Sequence, residues 1–203
     1  LLHDGPGLPS TTMPKPQDTQ YAPFAKLLHW LIALLMPGIL ALGFYMQDLP
    51  FSPGKLQLYS WHKWLGVTVF LLALVRLGYR LGHPPPALPA HMNRLERLAA
   101  HGGHLALYAL MLSIPLSGWL MSSAKGVQTV WFGVLPLPDL LARDRALGDT
   151  LAQVHAFLNF AFLGMLLLHT LAALKHQFID KDGLLARMLP RCACATGKRS
   201  SQA

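Results

Sequence analysis

Three histidines, His155, His169 and His176, interrupt the apolar run Val154–Phe178, VHAFLNFAFLGMLLLHTLAALKHQF. His155 and His169 are 14 residues apart (169 − 155). At about 1.5 Å per residue they stand ~21 Å apart along a helix, and nearly on one face because that spacing is close to four turns. An imidazole set in hydrocarbon is costly and marks a pathway or a cofactor. Two of them on one stripe, near opposite sides of a membrane, are what a helix clamping two stacked haems would offer. Such a helix needs partner histidines at matching depths on its neighbours.

The elements that must supply them are membrane spans. The chain has 203 residues, 53% hydrophobic and 13% charged, whereas a soluble domain carries about a quarter charged residues. The net charge of +8 does not indicate nucleic acid, because the basic residues sit at the ends of apolar segments and form no stripe interleaved with aromatics. Cys192 and Cys194 are the only cysteines, too few for a disulfide framework or a structural zinc site. Residues 1–20 are rich in Pro, Thr and Gln and read as a disordered leader, with Met13 a possible start. Spans are expected over about residues 27–46, 61–81, 101–121 and 154–176, each long enough for the ~30 Å hydrocarbon core, followed by a tail at 191–203. The fold expected is an all-α, four-helix membrane bundle occupying residues 21–190.

Pro37-Gly38 should kink the first span, Gln47–Ser60 reads as a short loop, and GHPPPALPA at 82–90 is a stiff extended connector. The longest connection, Ser122–Thr150, has Trp131 and Phe132 suited to the interface. The N-terminal segment, the connector and the tail hold Lys15, Lys26, Arg76, Arg80, Arg94, Arg97, Lys175, Lys181, Arg187, Arg191, Lys198 and Arg199, twelve cations against five on the other side (Lys55, Lys63, Lys125, Arg143, Arg145). Both termini are therefore expected in the cytoplasm of a cell with this protein in its inner membrane.

With that topology, His29 and His169 fall near the cytoplasmic side, and His62 and His155, each in the first turn of its span, near the outer side. Two pairs at two depths result. A b-type haem takes two axial imidazoles facing each other across an apolar slot, with cations near its propionates; Arg76 is a candidate for the latter. His101 and His104, three apart, could replace His29 as ligand. The alternative is that they join Arg80, Lys175 and His176 in a polar cluster that gives protons and hydrogen bonds to a quinone. The five outer cations could attract a small anion. A metal or proton transporter could use the same histidines, but it would be expected to carry mid-depth Asp or Glu, which these spans lack.

The residues also carry a family resemblance. LLHWL in span one, YSWHKWLGVTVFLLALVRLGYRL in span two, AAHGGHLALYALMLSIPLSGWLM in span three, VH with LH fourteen later in span four, and the closing KDGLLARMLP together resemble the prokaryotic cytochrome b561 family over about residues 20–190. The resemblance implies two b haems with axial ligands His29, His62, His155 and His169. It implies electron exchange with ubiquinone on the cytoplasmic side, with His101, His104 and His176 at the family's inner polar cluster. It further implies superoxide as the periplasmic electron donor. His91 stands where the family often has lysine. The activity expected is that of a quinone-reducing superoxide oxidase. An electron-carrying cytochrome subunit that docks a soluble periplasmic donor is the other reading in that class.

Overall fold

The computed structural model describes residues 20–89 and 92–189. The leader up to residue 19, His91 and the tail with Cys192 and Cys194 lie outside the described residues. The fold is mostly helical: α1 (Pro23–Gln47), α2 (Pro53–Gly82), α3 (Arg94–Ala124), a hairpin of β1 (Val130–Trp131) and β2 (Leu135–Pro136), α4 (Arg145–Lys175), a π-helical turn (His176–Asp180) and α5 (Leu184–Met188). Helices α1 to α4 are each long and apolar enough to cross a membrane.

Helices α2, α3 and α4 are longer than their apolar runs, because polar caps start them outside the hydrocarbon. Ser52 accepts from the Lys55 N–H at 3.2 Å, with Pro53 in the first turn, where its missing N–H costs nothing. Proline there had suggested a loop as far as residue 60, and only residues 48–52 are outside the helices. Asn93 and Glu96 form a reciprocal capping box at the start of α3, and Asp144 caps α4 through the Leu147 N–H at 3.0 Å. Caps of this kind stabilise a helix by about 1 kcal/mol each. Pro37 and Pro115 lie inside α1 and α3, which continue through them.

The core joins Ile32, Met36, Ile39 and Leu40 of α1 to Val69 and Ala73 of α2, to Tyr108, Met111 and Ile114 of α3, and to Phe162 of α4. Packing runs chiefly α1 on α2, α2 on α3 and α3 on α4. Helix α4 has no comparable seam with α1 or α2, and a slot is left between them.

Both ends of the bundle are tied. At one end the Tyr21 N–H reaches the Arg187 carbonyl, Trp30 Nε1 donates to Met188 O at 2.9 Å, and Arg187 donates to Ala87 O at 2.7 Å. The start of α1, the α2–α3 connector and α5 are thereby held together. At the other end the long connection is not featureless. Its hairpin packs on α2 through Trp64 Nε1 to Val130 O (2.7 Å) and Trp131 Nε1 to Thr68 Oγ1 (3.3 Å). The turn is made by Phe132 and Gly133, both left-handed, with φ of 50° and 72°.

Candidate cofactor site

Helix ends fix the depth of each histidine. His62 lies nine residues after Pro53 and His155 ten after Arg145, while His29 lies six after Pro23 and His169 six before Lys175. At ~1.5 Å per residue the first two are ~14 Å from their helix starts and the second two ~9 Å from their helix ends. Both members of each pair are thus level. His62 and His155 are deeper than a first turn, because α2 and α4 begin before their apolar runs.

In the first pair the ring centroids of His62 and His155 are 6.3 Å apart, nearly perpendicular at 81°. His155 Nδ1 faces two oxygens, Ile114 O at 3.0 Å and Ser117 Oγ at 2.9 Å, and the Ser117 hydroxyl itself donates to Ile114 O at 2.7 Å. With both oxygens as acceptors, the proton is placed on Nδ1 and the Nε2 lone pair is left free, the tautomer a metal ligand requires. His62 Nδ1 is buried with no hydrogen-bond partner. A glycine backs each ring: a Cβ at Gly43 would come within 3.0 Å of His62 Cε1, and one at Gly118 within 3.1 Å of His155 Cε1.

In the second pair the His29 and His169 centroids are 6.4 Å apart at 47°. His29 Nδ1 is also buried and unpartnered. The carbonyl four residues before it, Ala25 O, accepts from Arg76 Nη1 at 2.9 Å. Arg76 Nε donates to the Tyr108 hydroxyl at 3.0 Å, and its guanidinium is within electrostatic reach of His29, His104 and His169.

These spacings fit a bis-imidazole metal group. An imidazole nitrogen sits about 2 Å from a metal ion, with the ring centre roughly 1 Å behind it, so two opposed ligands have centroids about 6 Å apart. Both pairs meet that distance, and the glycines behind the two outer rings and the buried unpartnered Nδ1 of His62 and of His29 agree with rings placed for something other than each other. His104 fits less well as the partner of His169. Their centroids are 5.6 Å apart and edge-on, an ordinary aromatic contact, and His104 Nδ1 is fixed to Ala100 O at 2.6 Å.

The remaining candidates spread over the same end of the bundle. Arg80 lies over the Tyr108 ring, 5.6 Å from its centroid. His101 is exposed, its Nδ1 on Arg97 O at 2.7 Å. His176 opens the π-turn, its Nδ1 at 2.7 Å from Asp182 Oδ2 and 3.1 Å from Asp180 Oδ2. Lys175 joins Asp180 (2.7 Å) to Glu96 (3.5 Å). Sequence reasoning singled out His176 and Lys175 but missed their carboxylates; the only available signal was the KDG that follows the span. It also missed Gly43, whose role depends on a ring from another helix. On the opposite face, Lys63 Nζ donates to Val127 O at 3.1 Å and Lys125 pairs with Asp149 at 3.0 Å, while Lys125, Arg143 and Arg145 line a small cavity of about 280 Å³.

Comparison with known proteins agrees with this geometry. The family profile described as prokaryotic cytochrome b561 matches residues 20–191. The chain is 35% identical to cytochrome b561 homolog 2 of Escherichia coli K12, over 88% of this chain and 95% of that one. It is 31% identical to the probable superoxide oxidase CybB of Yersinia pestis, over 81% and 92%. It is 27% identical to cytochrome b561 homolog 1 of Escherichia coli K12, over 81% and 93%. A match across the whole bundle, with two histidine pairs at its two depths, means that the chain belongs to the prokaryotic cytochrome b561 family of haem b-binding membrane electron-transfer proteins.

Proposed function

We propose that the chain holds two b haems, one between His62 and His155 and the other between His29 and His169, and carries electrons from superoxide outside the inner membrane to ubiquinone at its cytoplasmic side. The observation that carries this reading is the equality of the two pairs, 6.3 and 6.4 Å between centroids at the two ends of one bundle. When bound, the haems supply reversible one-electron chemistry. Two superoxide ions give one electron each and leave as dioxygen, and one ubiquinone takes up both electrons with two protons.

The chain's residues position and neutralise. Ile114 O and Ser117 orient His155, and Gly43 and Gly118 let the two outer rings seat. Arg76, beside the inner histidines, supplies positive charge for the propionates of a bound haem, and Arg80 and Tyr108 lie next to it. Arg143 and Arg145 give the outer face a field that favours an approaching anion. At the inner face, Asp182 holds His176 by Nδ1, leaving Nε2 to exchange a proton with quinone; His101 and His104 complete the candidate quinone surroundings. The count of cations supports a topology with the start of α1 and the finish of α4 on the cytoplasmic side.

Reduced-minus-oxidised spectra and a potentiometric titration of purified protein would count the haems, and quinone-dependent consumption of superoxide would test the donor. Replacing His62 or His155 by Ala is expected to remove the outer haem and leave most of the inner one. Two haems with no reduction by superoxide would leave an electron carrier for a soluble donor. That second reading draws on the exposed apolar tip of the hairpin, where Phe132, Val134 and Leu135 are 55%, 83% and 51% accessible. A colourless protein that moves metal ions or protons would select the transporter instead.

A further inference from the structure

Apart from the histidine slot, the bundle has a cavity of about 890 Å³ where α1 begins and α2 ends. Among the described residues three cations line it, Lys26, Arg76 and Arg80, together with Trp30, Tyr79 and Tyr108, and no Asp or Glu does. None of His29, His104 and His169 is among its lining residues. Lys26 is only 8% accessible and among the described residues is met by neutral oxygens, Gln20 Oε1 at 2.8 Å and Leu189 O at 3.0 Å. Arg76 is likewise held by a carbonyl and a phenol, and Arg80 by a ring face. Buried cations are stable when an anion accompanies them, and among the described lining residues there is none.

The surroundings indicate which anion. The cavity lies beside the first turns of α1 and the last turns of α2, walled by Trp30 and by Tyr79, whose ring stacks on His83 at 4.1 Å between centroids. From its rim a stripe of exposed leucines descends α1 at helical spacing, Leu27, Leu31 and Leu34, with accessibilities of 62%, 41% and 74%. A polar cage for negative charge that continues into an apolar track has the form of an amphiphile, not of a free ion. Basic recesses between membrane helices are known to take phospholipid headgroups.

We infer that this cavity is a binding site for one anionic phospholipid, its phosphate between Lys26 and Arg80 and an acyl chain along Leu27, Leu31 and Leu34, with Arg76 left to the inner haem. The site does not depend on the electron donor or on which histidines bind haem.

The test uses haem-loaded protein in phosphatidylcholine bilayers, with spin-labelled phosphatidylglycerol or spin-labelled phosphatidylcholine as the probe. The motionally restricted spectral component should favour phosphatidylglycerol, on the order of fivefold for each cation engaged. Lys26→Gln should cut that preference by about fivefold without changing haem content, while Lys26→Arg should largely keep it. Arg143→Gln, on the opposite face, should leave it unchanged. Equal restriction of the two lipids in the unaltered protein would overturn the inference, as would a preference that Lys26→Gln leaves undiminished. Competition by inorganic phosphate at constant ionic strength would show the ligand to be a soluble anion. Loss of haem on Arg80→Gln with lipid preference intact would assign the cations to haem propionates. Where Lys26→Gln does not assemble, Arg80→Gln carries the comparison of lipid preference, since that side chain is replaced from a ring face.

Discussion

Gly118→Ala tests the outer slot without touching a ligand. The added Cβ would lie 3.1 Å from His155 Cε1 and 3.4 Å from Nδ1, where carbon contacts settle at about 3.5–4.0 Å. The ring must therefore retreat from α3 by roughly 0.5 Å. It is pinned to that same helix through Ile114 O at 3.0 Å, so the retreat stretches this bond toward about 3.5 Å, where it no longer counts as one. Losing the bond costs about 1 kcal/mol, and misorienting a metal-ligating histidine lowers affinity for the group by about 10- to 100-fold. Gly43→Ala offers the internal comparison. Its Cβ would press His62 Cε1 at 3.0 Å, but the polar approach of His62 toward the Ile39 backbone falls short of a full hydrogen bond, so less is lost and the drop should stay under about tenfold. Alanine is better than glycine in a helix by about 1 kcal/mol, so neither protein should suffer in yield. Haem titration into protein depleted of it, followed by redox titration, separates the outer from the inner component. The reasoning is refuted if Gly118→Ala binds both haems with unaltered affinity, or if Gly43→Ala is the more damaging change.

Two further substitutions probe the hydrogen bonds. Ser117→Ala leaves Ile114 O as acceptor for His155, so the outer haem should be retained with an affinity loss of less than about tenfold, measured by the same titration; complete loss would show the hydroxyl to be the principal anchor. Asp182→Asn keeps the shape of the π-turn but removes the carboxylate that holds His176, and quinone reduction should slow by on the order of tenfold or more while reduced-minus-oxidised spectra stay unchanged. An unaltered quinone rate would remove His176 from proton delivery.

Sequence makes the spans and the pairing of histidines by depth legible for one reason: alternate helices run in opposite directions, and fourteen residues nearly close four turns. What it hides are contacts between distant segments. Gly43 and Gly118 are unremarkable small residues until the rings of His62 and His155 fold against them. Ser52, Asn93 and Asp144 start their helices outside the apolar runs, so hydropathy alone places His62 and His155 too close to the surface. The connection at 125–144 gives no periodic signal because its hairpin has two residues per strand and its turn puts a phenylalanine, not only a glycine, in the left-handed region. The polar cluster expected of Arg80 and His176 is spread across the bundle end, since Arg80 turns toward Tyr108 and His176 toward Asp182.

The packing of α4 leaves room for groups between the helices. This helix rests mainly on α3, and Phe162 is its buried anchor at 2% accessibility. Toward α1 and α2 it presents histidines at two levels, His155 facing His62 and His169 facing His29, while Phe160 meets Phe44 of α1 at the exposed surface of the bundle, 5.5 Å between centroids. A group seated at either level would supply α4 with the packing it lacks against α1 and α2. A group bound only by the assembled bundle stabilises that assembly in proportion to its affinity. With a group bound at each histidine pair, the closing of the fourth helix and its loading would be one equilibrium, and the weaker-held group would be the one whose ring lacks an anchor or is pushed off it.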